Sequence, residues 1–193
     1  MTVPTDLEQR AFPDAPAFDA WLAAEGARSP GIWLKLAKKG TGVPSVTPAE
    51  AVEVALCHGW IDGQSNRLDQ TWWLVRFTPR RARSIWSQKN VQTVARLVDE
   101  GRMRPAGLAA VEAARADGRW DRAYPGPATM TVPPALAAAL DAEPALRAAY
   151  DALDRTNRYA LCHRVHTAAT EVTRARRVAA AVQLLREGRG PHS

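Results

Sequence analysis

The sequence predicts a helix-rich α+β fold: a small N-terminal sheet of two to four strands packed with helices, followed by an all-helical C-terminal half. Three observations carry this. Two short runs near the N-terminus alternate apolar and polar residues with the period of a strand. Amphipathic stretches with helical spacing surround them, and from Ser84 onward the period is helical almost to the end. The balance of 46% hydrophobic and 24% charged residues in 193 is that of an ordinary globular chain, long enough to bury a core without disulfides or a structural metal.

Taken in order, Asp14 can cap a helix running to Glu25, with Phe18, Trp21 and Leu22 on one stripe and Gly26 at its end. Within GIWLKLAKKG (31–40), Ile32, Leu34 and Leu36 alternate with Trp33, Lys35 and Ala37, which makes a strand. Thr47-Pro48-Ala49-Glu50 is a capping box with proline at the first helical position, and its helix should stop at Gly59. WIDGQ then contains an Asp-Gly turn signal. The following TWWLVRF (71–77) reads as a strand with Trp72, Leu74 and Arg76 on one face and Trp73, Val75 and Phe77 on the other. Val91, Val94, Leu97 and Val98 mark a helix ending before Gly101, and Pro105 opens another that runs to about Gly118. Residues 119–134 hold four prolines and no period, as expected of a linker or a long loop. Beyond it lie helices only: one at Leu136 and Leu140, one after Pro144, one through Leu161 and Val165, and a last one entered through Thr170 and closed by Gly188. The expected organisation is an α+β subdomain over 1–120 and a helical subdomain over 121–193, within one compact unit.

The N-terminus has neither a basic region nor a continuous apolar run, and no stretch reaches the length of a membrane span, so the cytoplasm is the expected compartment and no membrane span is expected. Cys57 and Cys162 read as reduced, buried thiols within helices. Charge is unevenly spread. Residues 1–69 carry 6 basic and 9 acidic side chains, 70–126 carry 11 and 5, and 127–193 carry 9 and 6. Only four of the 26 basic residues are lysine, and arginine favours bidentate or stacked contacts with anions.

Three stretches carry a resemblance: 31–64 with its WIDG, 72–120 with FTPRR-x-R-S-x-W-S-x-x-N and EGRM-x-P-x-G, and the tail RTNRYALCHRVHTAATEVTRARRV (155–178). They resemble the YdeI/OmpD-associated, bacteriocin-protection family. That resemblance implies association with a porin and protection against cationic antimicrobial peptides, with no reaction attached. The tail departs from the family pattern at Ala169, where lysine is usual, and at Val172, where glutamate is usual.

The strongest chemical candidate is Arg80, Arg81 and Arg83 running into Ser84, Trp86, Ser87 and Asn90. Placed where a strand hands over to a helix, these guanidinium groups would sit beside free N–H groups at a helix N-terminus, an anion site for phosphate or carboxylate. Trp86 would stack on a ring, and Lys35, Asp62 and Arg76 would complete a polar pocket. The plain alternative is that these arginines are solvated, or pair with the acidic first third of the chain to fix the fold. Asp62, flanked by aromatics, would be desolvated as a general base needs, although an Asp-Gly turn explains it equally. Cys57, His58, Cys162, His163 and His166 supply enough donors for zinc, but neighbouring Cys-His pairs point in different directions on a helix and no C-x-x-C is present, so neither metal nor other cofactor is expected. Arg174, Arg176 and Arg177 near the start of the last helix oppose its dipole, and either seek an anionic partner or form a solvated face.

The expected function is therefore a non-enzymatic binding protein with an anion or small-ligand site near Arg80–Asn90, its partner a small anion or a protein, with homo-oligomerisation open. The alternative from another class is a small-molecule enzyme in which Asp62, Arg76 and Asn90 converge. A nucleic-acid binder ranks last, because no recognised binding motif is present and the charge is not drawn into one stripe.

Overall fold

The computed structural model describes residues 4–192. The chain divides into two units. The first comprises the described residues up to Ser84 together with Asn90–Asp121, and the second comprises Ile85–Lys89 and the described residues from Arg122 onward.

The first unit holds β1 (Glu8–Ala11), α1 (Ala15–Glu25), β2 (Ile32–Ala37), α2 (Pro48–Cys57), β3 (Trp60–Arg67), β4 (Trp72–Pro79), most of α3 (Gln88–Asp99) and α4 (Pro105–Ala116). Both expected strands are present, and two more join them in one sheet of order β1-β2-β4-β3. β1 runs parallel to β2, while β4 is antiparallel to both β2 and β3. The pleat sends Ile32, Leu34 and Leu36 to one face with Val75 and Phe77 of β4. There they pack with Phe18 and Leu22 of α1, and with Ala51, Val54 and Ala55 of α2. On the opposite face Asp6 accepts a hydrogen bond from the Trp33 indole (2.8 Å) and pairs with Arg76 (2.8 Å).

Local chemistry fixes the helix starts. Asp14 accepts from the Ala17 N–H at 2.8 Å. At α2 the Thr47 hydroxyl accepts from the Glu50 N–H while Glu50 accepts from the Thr47 N–H, the reciprocal box that satisfies two orphan donors. The hydrogen bonds from Thr47 hold the Glu50 carboxyl below its ordinary range.

Two boundaries differ from expectation. Asp62-Gly63 is not a turn but lies inside β3, where the pairing with β4 slips between Asp62 and Ser65. A bulge uses the same permissive residues as a turn. The chain reverses later, where Asp69 accepts from the N–H groups of both Thr71 and Trp72 at 2.8 Å. And α3 begins at Gln88, four residues after Ser84. The Ser84 hydroxyl accepts from the Arg81 N–H at 3.0 Å and so closes a turn rather than capping a helix.

The ends of α2 and α4 meet closely. Arg104 N–H donates to the Cys57 carbonyl at 3.0 Å, and a Cβ on Gly107 would stand 2.2 Å from that oxygen. Gly59, at φ +73°, turns the chain out of α2, and a Cβ there would lie 2.8 Å from the Ala106 carbonyl. Beside this junction Glu53 pairs with Arg96 and Arg102, and Glu100 pairs with the same two arginines, tying α2 to α3 and the loop after it.

The second unit contains α5 (Pro134–Ala142), α6 (Pro144–Ala152), α7 (Arg155–His166) and α8 (Glu171–Arg186). Leu136, Leu140, Leu146, Leu161, Val165 and Leu185 form its core. The Tyr150 hydroxyl lies 3.2 Å from the Cys162 sulfur within it. Asp154 and Thr170 cap α7 and α8. Among the described residues, no helix is long and apolar enough to cross a membrane.

The α2–α4 junction makes a sharp prediction. Gly107→Ala forces backbone apart and should lower the unfolding free energy by about 2–3 kcal/mol, whereas Gly126→Ala, with nothing within 4 Å of its Cβ, should change it by less than about 0.5 kcal/mol. Urea unfolding followed by tryptophan fluorescence compares the two.

Candidate functional site

The residues expected to form an anion site lie on several elements, with Lys35 and Arg76 on one face of the sheet. Arg76 is engaged by Asp6 and lies 5.8 Å from the Trp33 ring, and Lys35 lies 5.1 Å from the Trp72 ring. Asp62 is exposed on β3 and pairs in register with Phe77, so the pleat directs it to the face opposite Arg76. The desolvation that a base role would need is missing. Arg81 and Arg83 are exposed in the turn that Ser84 closes, and Asn90 sits half-buried in α3. α3 starts only at Gln88, five residues after Arg83 in the chain. Trp86 is 1% exposed in the second unit, where its carbonyl accepts from the Tyr124 N–H (2.9 Å); a ring so buried has no face to offer a ligand. The convergence of Asp62, Arg76 and Asn90 that an enzyme would require is therefore not formed, since Asp62 and Arg76 point to opposite faces.

One of the expected residues does line a cleft. Arg80 follows β4 directly, and its N–H donates to the Gly59 carbonyl at 2.9 Å, which brings the end of β4 against the turn between α2 and β3. Around this contact opens a cleft of about 640 Å³. Its apolar walls come from Leu22 and Ala23 of α1, Trp60 of β3, Pro79, and Ala106 and Ala110 of α4. Its polar lining is His58, Arg80 and Arg104.

Two of these polar groups, His58 and Arg104, are held in place by one carboxylate. Asp19 of α1 accepts from Arg104 at 2.7 Å through one oxygen and meets His58 Nε2 at 2.7 Å through the other. Burial alone would raise the Asp19 carboxyl, but the hydrogen bonds from His58 and Arg104 outweigh it and hold it below the ordinary aspartate range. With Nε2 committed to Asp19, the His58 ring is fixed in orientation. Next to it, burial pushes the Cys57 thiol up, which keeps it protonated and a poor nucleophile. Among the described residues no group of three His, Cys, Asp or Glu side chains is placed to hold a metal ion.

Such a cleft can hold a small molecule with an apolar body and an anionic end. Its size is that of ordinary ligand sites, and a few charged groups among apolar walls are what orient a ligand within one. Sequence reasoning reached Arg80, weighed His58 only as a metal donor, and missed Asp19 and Arg104. The available signals were the EGRM-x-P-x-G stretch, which places Arg104 immediately before a helix-opening proline, and the histidine ending the helix at Gly59.

Asp19 titrates with a definite sign. A carboxyl held lower in the folded chain stabilises it above the unfolded aspartate pKa of about 3.9, and that contribution is lost as pH falls through the lower, folded value. Asp19→Asn should therefore lower the urea midpoint at pH 7, and the gap from wild type should shrink by pH 3. A gap that stays constant between the two pH values would contradict the assignment.

No curated protein and no solved structure shows a significant match to the chain. Two family models do match. The one described as Bacteriocin-protection, YdeI or OmpD-Associated covers residues 129–188. The resemblance expected from sequence is thus shown over the helical part that includes the 155–178 tail. The other, described as Domain of unknown function (DUF8412), covers residues 10–110, where the WIDG and FTPRR motifs and the whole cleft lie. Residues 129–188 match the model described as Bacteriocin-protection, YdeI or OmpD-Associated, and the chain belongs to the DUF8412 family, whose model spans more than half of it.

Proposed function

We propose that the chain is a cytoplasmic, non-catalytic binding protein with a protective role of the kind the bacteriocin-protection family is named for, and that its first unit binds a small anion with an apolar body in the Arg80–Arg104 cleft. The observation that carries this reading is the pairing of an apolar cleft wall, with Trp60 and Leu22 in it, with two guanidinium groups from separate elements. Arginine presents a planar fork that matches carboxylate and phosphate oxygens, and such charge-assisted bonds are about twice as strong as neutral ones. Asp19 supports the reading further. It holds Arg104 and His58 in position before any ligand arrives, so less ordering cost falls on binding.

The reading retains Arg80 from the sequence expectation and moves the remainder of the site from the Arg81–Asn90 segment to the start of α4. Calorimetric titration with phenyl phosphate at low ionic strength tests it. The Arg80→Ala/Arg104→Ala variant should bind at least about tenfold more weakly than wild type, and Arg81→Ala/Arg83→Ala should bind within about twofold of it. Equal weakening by the two pairs would mean diffuse electrostatic attraction and would remove the cleft as the site.

A further inference from the structure

The groove between α7 and α8, within the second unit, has the character of a second binding site. It encloses about 470 Å³. Leu161, Ala180, Ala181 and Leu184 give it an apolar lining, and His163, Arg164, Thr167 and Arg177 a polar one. The two kinds of residue are segregated along the groove. Arg164, Thr167 and Arg177 cluster where α7 ends, while Leu184 lies seven residues along α8 from Arg177, about 10 Å at the helical rise.

Arg177 is fixed in place. Its Nη1 donates to the Thr167 hydroxyl at 3.0 Å and to the Arg164 carbonyl. A guanidinium has five donors in a planar fork, and both of these bonds use the same nitrogen. No carboxylate is among the described residues that line the groove. The state of His163 reports the resulting field. Its ring is packed edge-on against Tyr124 at 4.5 Å and tilted against Tyr159 at 5.6 Å. Burial first, then the charges of His166 and Arg177, push it below the ordinary histidine range. Of the arginines near the start of α8, Arg174 pairs with Glu171, and Arg177 lines the groove and bonds to Thr167.

We propose that this α7–α8 groove binds a monomeric carboxylate carried on a hydrocarbon chain, with the carboxylate at Arg177 and Arg164 and the chain lying along Ala180 toward Leu184. The distance from Arg177 to Leu184 matches an extended chain of about eight carbons, and the fork geometry favours a planar carboxylate.

The test is an NMR titration of the full chain with sodium octanoate at pH 7.5 and low ionic strength, following the His163 ring signal, with octan-1-ol as the uncharged control. A saturable shift with octanoate and none with octanol is the expected result. Ala180→Trp, a change at an exposed position that fills the groove and keeps every charge, should weaken binding at least about tenfold, and Arg177→Gln should do the same. Because Arg177 also holds the end of α7, Ala180→Trp is the deciding variant. Arg80→Ala/Arg104→Ala should leave the His163 titration unchanged, which separates this site from the cleft of the first unit. No saturable shift, an equal response to octanol, or full binding by Ala180→Trp would overturn the proposal.

Discussion

At the C-terminal end of α2 the Cys57 carbonyl receives the Arg104 N–H while the backbone of Gly107 lies against it, and the cleft of the first unit is arranged around that contact. The negative end of one helix dipole meets the positive end of another, so the approach is electrostatically favourable. It is sterically possible only because Gly107 and Gly59 have no side chains. The consequences run outward from there. Gly59 turns the chain so that Trp60 enters the sheet, and the Gly59 carbonyl takes the Arg80 N–H, which fixes the end of β4. Arg104, standing immediately before α4, is then within reach of Asp19 on α1. Four segments remote in sequence are brought to one cleft by a single close backbone approach.

The unequal charge of the sequence has a structural answer. The acidic first third meets the basic middle third in the pairs Asp6–Arg76, Asp19–Arg104, Glu53–Arg96 and Glu53–Arg102. A sequence that looks prepared for a polyanion thus uses several of its arginines on its own carboxylates. These are half-exposed pairs, and each contributes modestly to stability. Their effect is geometric, since each joins elements far apart in the chain. Arg76, Arg96, Arg102 and Arg104 are the arginines that join these carboxylates.

How far the sequence discloses this architecture depends on whether the deciding chemistry is local. Helix caps at Asp14, Thr47 and Thr170 are local, as is the alternation in β2 and β4, and these elements were legible. β1 was not, since four residues of a parallel edge strand carry no alternation to detect. Asp62-Gly63 misled because a bulge and a turn call on the same residue types, and only pairing with β4 decides between them. Trp86 misled for a different reason: its neighbours Arg83, Ser84 and Ser87 are polar, yet the ring itself is 1% exposed. The cleft was the least legible feature, because its lining comes from α1, the α2–β3 turn, the end of β4 and the start of α4.

The slip in β3 has an outcome of another kind. β3 is one margin of the sheet, and its outer row of backbone groups would ordinarily invite a strand from a second molecule. Here that margin carries exposed Asp62, Gln64, Ser65 and Arg67, and its register breaks between Asp62 and Ser65. The opposite margin, β1, is only four residues long. A sheet bounded in this way is a poor template for strand-by-strand growth.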